Sequence, residues 1–341
     1  KRWKRGTPLA RAEPVFEGRR EDIGIWPRVM DSGEETLPMI DQSLTFYTGA
    51  YHLIGDDGKL RRLPLQDSAD LAGFYAGRIL FTLREAWDVQ GLTFPQGALL
   101  AISVSAFQAS EKLPRVETVY TPDDRTSISG VAVSRSGLYV ALLQNVKGRI
   151  LRFRADHDTG RWSSAPLPLP ANGTVSVSAA NPHSSTVLVN YEDHITPDRL
   201  SEYDAGANAL TLLKSLPPRF RSDELQVGQH MVKSADGEAV PYFVIHRKGL
   251  KLNGSTPTIL YGYGGFEISL KPSYSATIGK LWLERGGAYA VANIRGGGEF
   301  GPRWHKAALK TNRQRAYDDF IAVAEDLARR GITSPRRLGI S

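Results

Sequence analysis

Apolar and polar residues alternate in short runs from about residue 44 to 215, and each run closes on a turn signal. This is the pattern of half-buried β-strands joined by tight connections. LTFYTGAYHLIGDDGKLRRLPL predicts a hairpin turning at Asp57-Gly58, with Phe46, Tyr47, Tyr51 and Leu53 as strand formers ahead of it. GVAVSRSGLYVALLQ bends at Ser136-Gly137, and GRILFTLREAW, GALLAISVSAF, GRILRFRADHDTGRWSSAPL, TVSVSAANPHSSTVLVNYE and RLSEYDAGANALTLLKSL read in the same way. Hardly a helical period is found in this stretch. Strand and turn units recur about four strands at a time without an exact repeat, which favours a β-propeller and leaves a sandwich open.

After LPPRF at 216–220 the pattern changes. QVGQHMVKSADGEAVPYFVIHRK predicts one more hairpin, at Asp236-Gly237, but TPTILYGYGG and GGAYAVANIRGGGEFG are near-continuous apolar strands that run into glycines. Such runs suit strands covered on both faces, as in a parallel sheet. NRQRAYDDFIAVAEDLARRG puts Ala316, Phe320, Val323, Ala324 and Leu327 at helical spacing, with Arg329 and Arg330 in the last turn, Gly331 at C′ and Pro335 beyond. RRLGIS begins a further strand. The order strand, loop, strand, helix, strand reads as α/β, so a domain boundary is expected near Pro217-Pro218, with a β domain over 1–217 and an α/β domain over 218–341.

Composition narrows the chemistry more than the fold. The 341 residues are long enough for two domains, and 41% hydrophobic with 23% charged residues is ordinary for a globular protein. No apolar run approaches the roughly 18 residues of a membrane span. The absence of Cys removes disulfides, thiolate metal sites and cysteine nucleophiles together. The net charge of +7 is scattered, so nothing resembles a nucleic-acid footprint. The chain starts at Lys1 without a signal-peptide pattern and reads as an internal piece of a longer protein, which leaves cytoplasm and periplasm undecided.

Motif by motif, little else stands out. G-x-S-x-G, H-E-x-x-H and the P-loop pattern are missing. The seven histidines, at 52, 157, 183, 194, 230, 246 and 305, show no metal spacing, and no metal site is expected. Asp123-Asp124 and Asp318-Asp319 read as turn and helix surface. NIRGGGEFG at 293–301 invites a phosphate-binding reading, but its G-x-G-x-x-G spacing is imperfect, no helix reads as opening directly after it, and no ribose-binding acid follows. TILYGYGGFEIS at 258–269 keeps two readings open. It is either a glycine turn flanked by core aromatics, or a strand end holding a tyrosine hydroxyl toward a developing oxyanion.

LYGYGGF, VANIRGGGEFGPRWHKAA and YDDFIAVAEDLARRGITSPRRLGIS follow one another in the order and spacing of the prolyl oligopeptidase family of serine peptidases. The chain resembles that family closely over about 230–341 and more loosely over 1–220. The resemblance implies a partial all-β propeller followed by a partial α/β-hydrolase domain. It implies that Tyr263 is the side-chain member of the oxyanion hole, that Phe266 walls a proline-accepting pocket, and that Gly264 and Gly265 let the loop pass close to substrate. Arg295, Glu299, Trp304 and His305 are then scaffold around the site. GGF is similar to the post-proline branch rather than to relatives that cleave after basic residues. The resemblance also implies a nucleophile elbow whose serine follows Ser341 by about three residues, with aspartate and histidine further on. The Ser/Asp/His triad is therefore expected outside this chain, and Ser341 is not expected to be the nucleophile. No cofactor is implied, and the expected enzyme is a monomer acting on short proline-containing peptides, without nucleic-acid or membrane partners. Two alternatives stay open: a propeller-based binding protein that has lost its nucleophile, and an esterase or acylaminoacyl-type hydrolase of the same architecture.

Overall fold

In a computed structural model, residues 1–156 and 161–341 are described. His157 and the tip of the GRILRFRADHDTGRWSSAPL hairpin lie outside the described residues. The chain forms two compact units, 1–120 and 121–341. No described helix is long and apolar enough to cross a membrane.

The first unit holds two four-stranded antiparallel sheets. One is a consecutive meander of Gly24–Asp31, Thr36–Thr45, Thr48–Ile54 and Leu60–Arg62. The hairpin predicted at Asp57-Gly58 is there, with Ile54 opposite Leu60 and Gly58 at φ +73°. The other is ordered Glu117–Tyr120, Leu99–Ser103, Arg78–Leu83, Ala69–Tyr75, with a small hairpin, Trp87–Val89 and Leu92–Phe94, inserted. Inward residues of both sheets, among them Met39, Leu53, Phe74 and Phe81, form one core with Phe107. GALLAISVSAF is only half strand: a short helix, Val104–Ser110, begins where the Ser103 hydroxyl accepts from the Ala106 N–H.

Two more four-stranded meanders open the second unit: Thr126–Ser134, Gly137–Gln144, Lys147–Ala155, Trp162–Pro166, and then Thr174–Ala180, Val187–Glu192, Arg199–Asp204, Ala209–Ser215. GLYVALLQ is buried nearly throughout, as a central strand covered on both faces should be. The first strand of three of the four sheets carries a register shift at a comparable place, at Leu71/Gly73, Ile128/Gly130 and Val177/Ala179. A bulge there sharpens strand twist and marks the repeated unit that the sequence repeats only weakly. Four-stranded meanders of this kind are the blades of a propeller.

A five-stranded mixed sheet follows in the same unit. Its strands are β1 (Leu225–Lys233), β2 (Ala239–Arg247), β3 (Thr258–Gly262), β4 (Ala288–Ala292) and β5 (Leu338–Ile340), in spatial order β1-β2-β4-β3-β5. β1, β2 and β4 pair antiparallel, while β3 lies parallel between β4 and β5. Three helices accompany it: α1 (Ala276–Leu281), α2 (Pro302–Lys306) and α3 (Gln314–Arg329). Ala316, Val323 and Leu327 of α3 pack with Val240, Tyr242, Leu260 and Ala290 of the sheet. α3 ends as its sequence predicts: the Gly331 N–H reaches the Ala328 carbonyl and the Ile332 N–H that of Leu327, with Gly331 at φ +70°.

Blades and mixed sheet meet closely within this unit. Arg125 donates to the Ala239 carbonyl at 3.0 Å, Ser127 to that of Glu299 at 3.0 Å, and Thr174 to that of Pro272 at 2.6 Å. The Tyr274 N–H donates to the Glu192 carboxylate at 2.8 Å. The Asn145-Val146 turn inserts Val146 into the buried cluster that contains Val232, Val240 and Leu260.

Candidate active site

β3 delivers the chain into the YGYGGF loop at the C-terminal edge of the parallel strands. The ladder beside it continues past β5, with the Ser341 N–H donating to the Leu260 carbonyl at 3.0 Å and the Gly262 N–H to that of Ser341 at 3.3 Å. Beyond Gly262, Tyr263 is 41% exposed and Phe266 65%. The Tyr263 hydroxyl has no hydrogen-bond partner among the described residues. Gly264, Phe266 and Glu267 all adopt left-handed backbone, at φ +59°, +52° and +59°. Two consecutive non-glycine residues there are costly and persist only when their surroundings hold them.

The surroundings are the second glycine run. A Cβ on Gly296 would stand 2.2 Å from the Gly264 oxygen, and one on Gly298 would stand 2.1 Å from the Glu267 oxygen. RGGGEFG is thus glycine-rich because another backbone lies on it. The YGYGGF loop fills the space a phosphate would need, which removes the nucleotide reading. A helix does open directly after this run, contrary to the sequence reading, but α2 has only five residues.

Side chains complete the clamp. His305 is buried, and its Nδ1 lies 2.7 Å from the Gly296 carbonyl and 3.1 Å from the Glu267 nitrogen. The Glu267 N–H donates to the same oxygen at 3.3 Å. Arg313 Nη1 donates to the Gly264 carbonyl. Trp304, fully buried, donates from Nε1 to the Ile294 carbonyl at 3.2 Å. The four motif residues expected as scaffold, Arg295, Glu299, Trp304 and His305, are all buried.

Asp319 corrects the reading of Asp318-Asp319 as helix surface. It is fully buried and takes the Arg295 guanidinium at 2.6 and 2.9 Å together with the Arg295 N–H at 2.9 Å. Asp236, in the β1–β2 turn, accepts from the other side of the same guanidinium at 2.5 and 3.0 Å. Burial works against the Arg295 charge, but the bonds to Asp319 and Asp236 outweigh it and hold its pKa above the ordinary value. The hydrogen bond from Arg295 in turn holds Asp236 below the usual carboxylate range. Asp123 and Asp124 are exposed, ahead of strand Thr126–Ser134.

Glu299 ties down the far end of the loop. Its Oε1 accepts from the Leu270 N–H at 2.9 Å and from Asn293 Nδ2 at 3.4 Å, and Asn293 also donates to the Leu270 carbonyl at 2.6 Å. Oε2 is buried without a partner among the described residues. Burial pushes this carboxyl up to about 7. Among the described residues, no group of three or more His, Asp or Glu side chains could hold a metal ion.

Fold and site agree with what the chain matches. Residues 89–216 match the model for the prolyl oligopeptidase N-terminal β-propeller domain, and residues 272–341 match that for the prolyl oligopeptidase family. The chain is 40% identical to an uncharacterized peptidase of Sinorhizobium fredii, over 99% of this chain and 47% of that protein. It is 35% identical to the prolyl endopeptidase of Elizabethkingia meningoseptica, over 51% of this chain and 25% of that protein. It superposes on a post-proline cleaving enzyme from Rickettsia typhi with a TM-score of 0.89 at 28% identity, covering 99% of this chain and 50% of that one. The chain belongs to the prolyl oligopeptidase family, whose members are serine peptidases built from a β-propeller and a hydrolase domain. It spans about half the length of the curated relatives it first matches.

Proposed function

We propose that the whole protein containing this chain is a serine-type oligopeptidase that hydrolyses short peptides after proline through an acyl-enzyme. In this reading residues 1–217 supply the C-terminal part of the propeller and 218–341 the N-terminal part of the peptidase domain. Tyr263 donates its hydroxyl to the oxyanion, Phe266 offers an aromatic face to the proline ring, and Gly264 and Gly265 keep the loop thin beside the substrate. One observation carries the reading most: an exposed tyrosine hydroxyl without a partner, on a loop clamped by a second backbone. The ladder that brings Ser341 alongside Gly262 supports it, because an elbow continuing from β5 would emerge beside Tyr263. A donor fixed in advance stabilises an oxyanion without reorganisation at the moment of reaction.

Tyr263→Phe in the whole enzyme is expected to lower kcat roughly 100-fold with little change in KM. An unchanged kcat would remove Tyr263 from the oxyanion hole. Phe266→Ala is expected to weaken turnover of proline-containing peptides selectively, and equal losses on substrates without proline would argue against the pocket assignment. The 341-residue chain alone is expected to resist a serine-directed phosphonate that labels the whole protein.

A further inference from the structure

Arg313 stands just before α3, outside every motif assigned a role above. Its Nη1 donates to the Gly264 carbonyl, and the same nitrogen lies 3.1 Å from where a Cβ on Gly296 would stand. The guanidinium therefore occupies the seam between the two glycine loops. On its other side it lies over the Tyr317 ring, 5.3 Å from the centroid, a cation–π contact that fixes the direction of the side chain.

The carbonyl it holds is a sensitive one. Gly264 and Gly265 are the whole backbone link between Tyr263 and Phe266, and two glycines in succession leave that link free to rotate unless something outside holds it. A hydrogen bond from an ionised donor is stronger than a neutral one. We propose that Arg313 is a positioning residue for the oxyanion-binding tyrosine: by gripping the Gly264 carbonyl it holds the Tyr263 hydroxyl where the oxyanion forms. The inference rests on the proposed role of Tyr263. Without the grip, the peptide plane after Gly264 turns and the hydroxyl spends less time in place. The loss falls on kcat, because the oxyanion exists only in the transition state.

The test is a double-mutant cycle in the whole enzyme on a proline-containing peptide. Arg313→Ala is expected to lower kcat about tenfold with KM changed less than about twofold. Arg313→Lys, which keeps a cationic donor, is expected to recover most of that loss. In a Tyr263→Phe background, adding Arg313→Ala is expected to cost less than about twofold more, since no hydroxyl remains to be positioned. If Arg313→Ala does not fold, Arg313→Gln takes its place in the same cycle. Unchanged kcat in the single variant, no recovery by lysine, or fully multiplicative losses in the double variant overturns the inference. Unchanged kcat in Tyr263→Phe alone overturns the oxyanion reading instead, so the two failures are distinguishable.

Discussion

Tyr263, on the loop after β3, and Glu299, which holds the far end of that loop at Leu270, show what single residues can and cannot reveal in sequence. The role proposed for Tyr263 comes only from the motif around it, since a glycine turn with aromatics is more often structural. Asp319 was misread although its phase was available: it lies three residues after Ala316 and four before Val323, on the apolar face of α3. Asp326 repeats the pattern, buried on the same face and taking the Tyr242 hydroxyl at 2.5 Å and Arg330 Nε at 2.7 Å. Glu299 carries a prediction about pH. Its folded pKa stands near 7, above the ordinary 4.5, so the folded state keeps a proton that the unfolded chain releases. Stability is unaffected by this group below about 4.5, falls as pH rises toward 7, and carries the full cost above it. Glu299→Gln should remove that fall, making the variant more stable than the parent at pH 8 by on the order of 3 kcal/mol and similar to it at pH 4. Parallel melting-temperature profiles for the two proteins would refute the assignment. His194, pushed down to about 4 by burial, acts with the opposite sign, losing stability as pH falls through the range below its ordinary 6.5.

Among the elements, the hairpins with Asp-Gly turns and the long amphipathic helix were readable because their signals are local. Helix Val104–Ser110 was not, because a short helix continuing directly from a strand, with Val104 and Phe107 as its buried contacts, offers too little periodicity. The glycine run at 296–298 was ambiguous for a different reason: a backbone packed on it and a phosphate cradled in it require the same residues. That reading distinguishes two kinds of glycine. Gly58 is at φ +73° with nothing within 4 Å of a Cβ, so Gly58→Ala should cost only about 1 kcal/mol, from backbone strain. Gly298→Ala drives a methyl against the Glu267 oxygen and should cost about 3 kcal/mol or more, because the opposing chain must move. Thermal denaturation of the two variants orders them, and equal losses would contradict the backbone contact.

On the scale of the whole molecule, the change in sequence pattern near Pro217 does not mark where contacts thin out. The two blades that precede it share a compact unit with the mixed sheet, through bonds that no local pattern announces because their partners lie far apart in sequence. Ser127 and the carbonyl of Glu299, 172 residues apart, are one such pair. A polypeptide of residues 121–341 is therefore expected to unfold in one cooperative transition, whereas 218–341 alone should show none, which calorimetry would decide.

The Asn145-Val146 turn gives that shared unit a further property. Both residues have positive φ, +49° and +63°, as a two-residue hairpin requires. A β-branched side chain is a poor choice for that conformation, and asparagine or glycine would suit the hairpin better. Valine suits the neighbouring core, where it is fully buried. The turn's own torsional preference and its docking thus pull in opposite directions, so any parting of blade from sheet would release a torsion as well as expose a methyl pair. The hairpin behaves as a loaded catch, set only while the two layers stay closed.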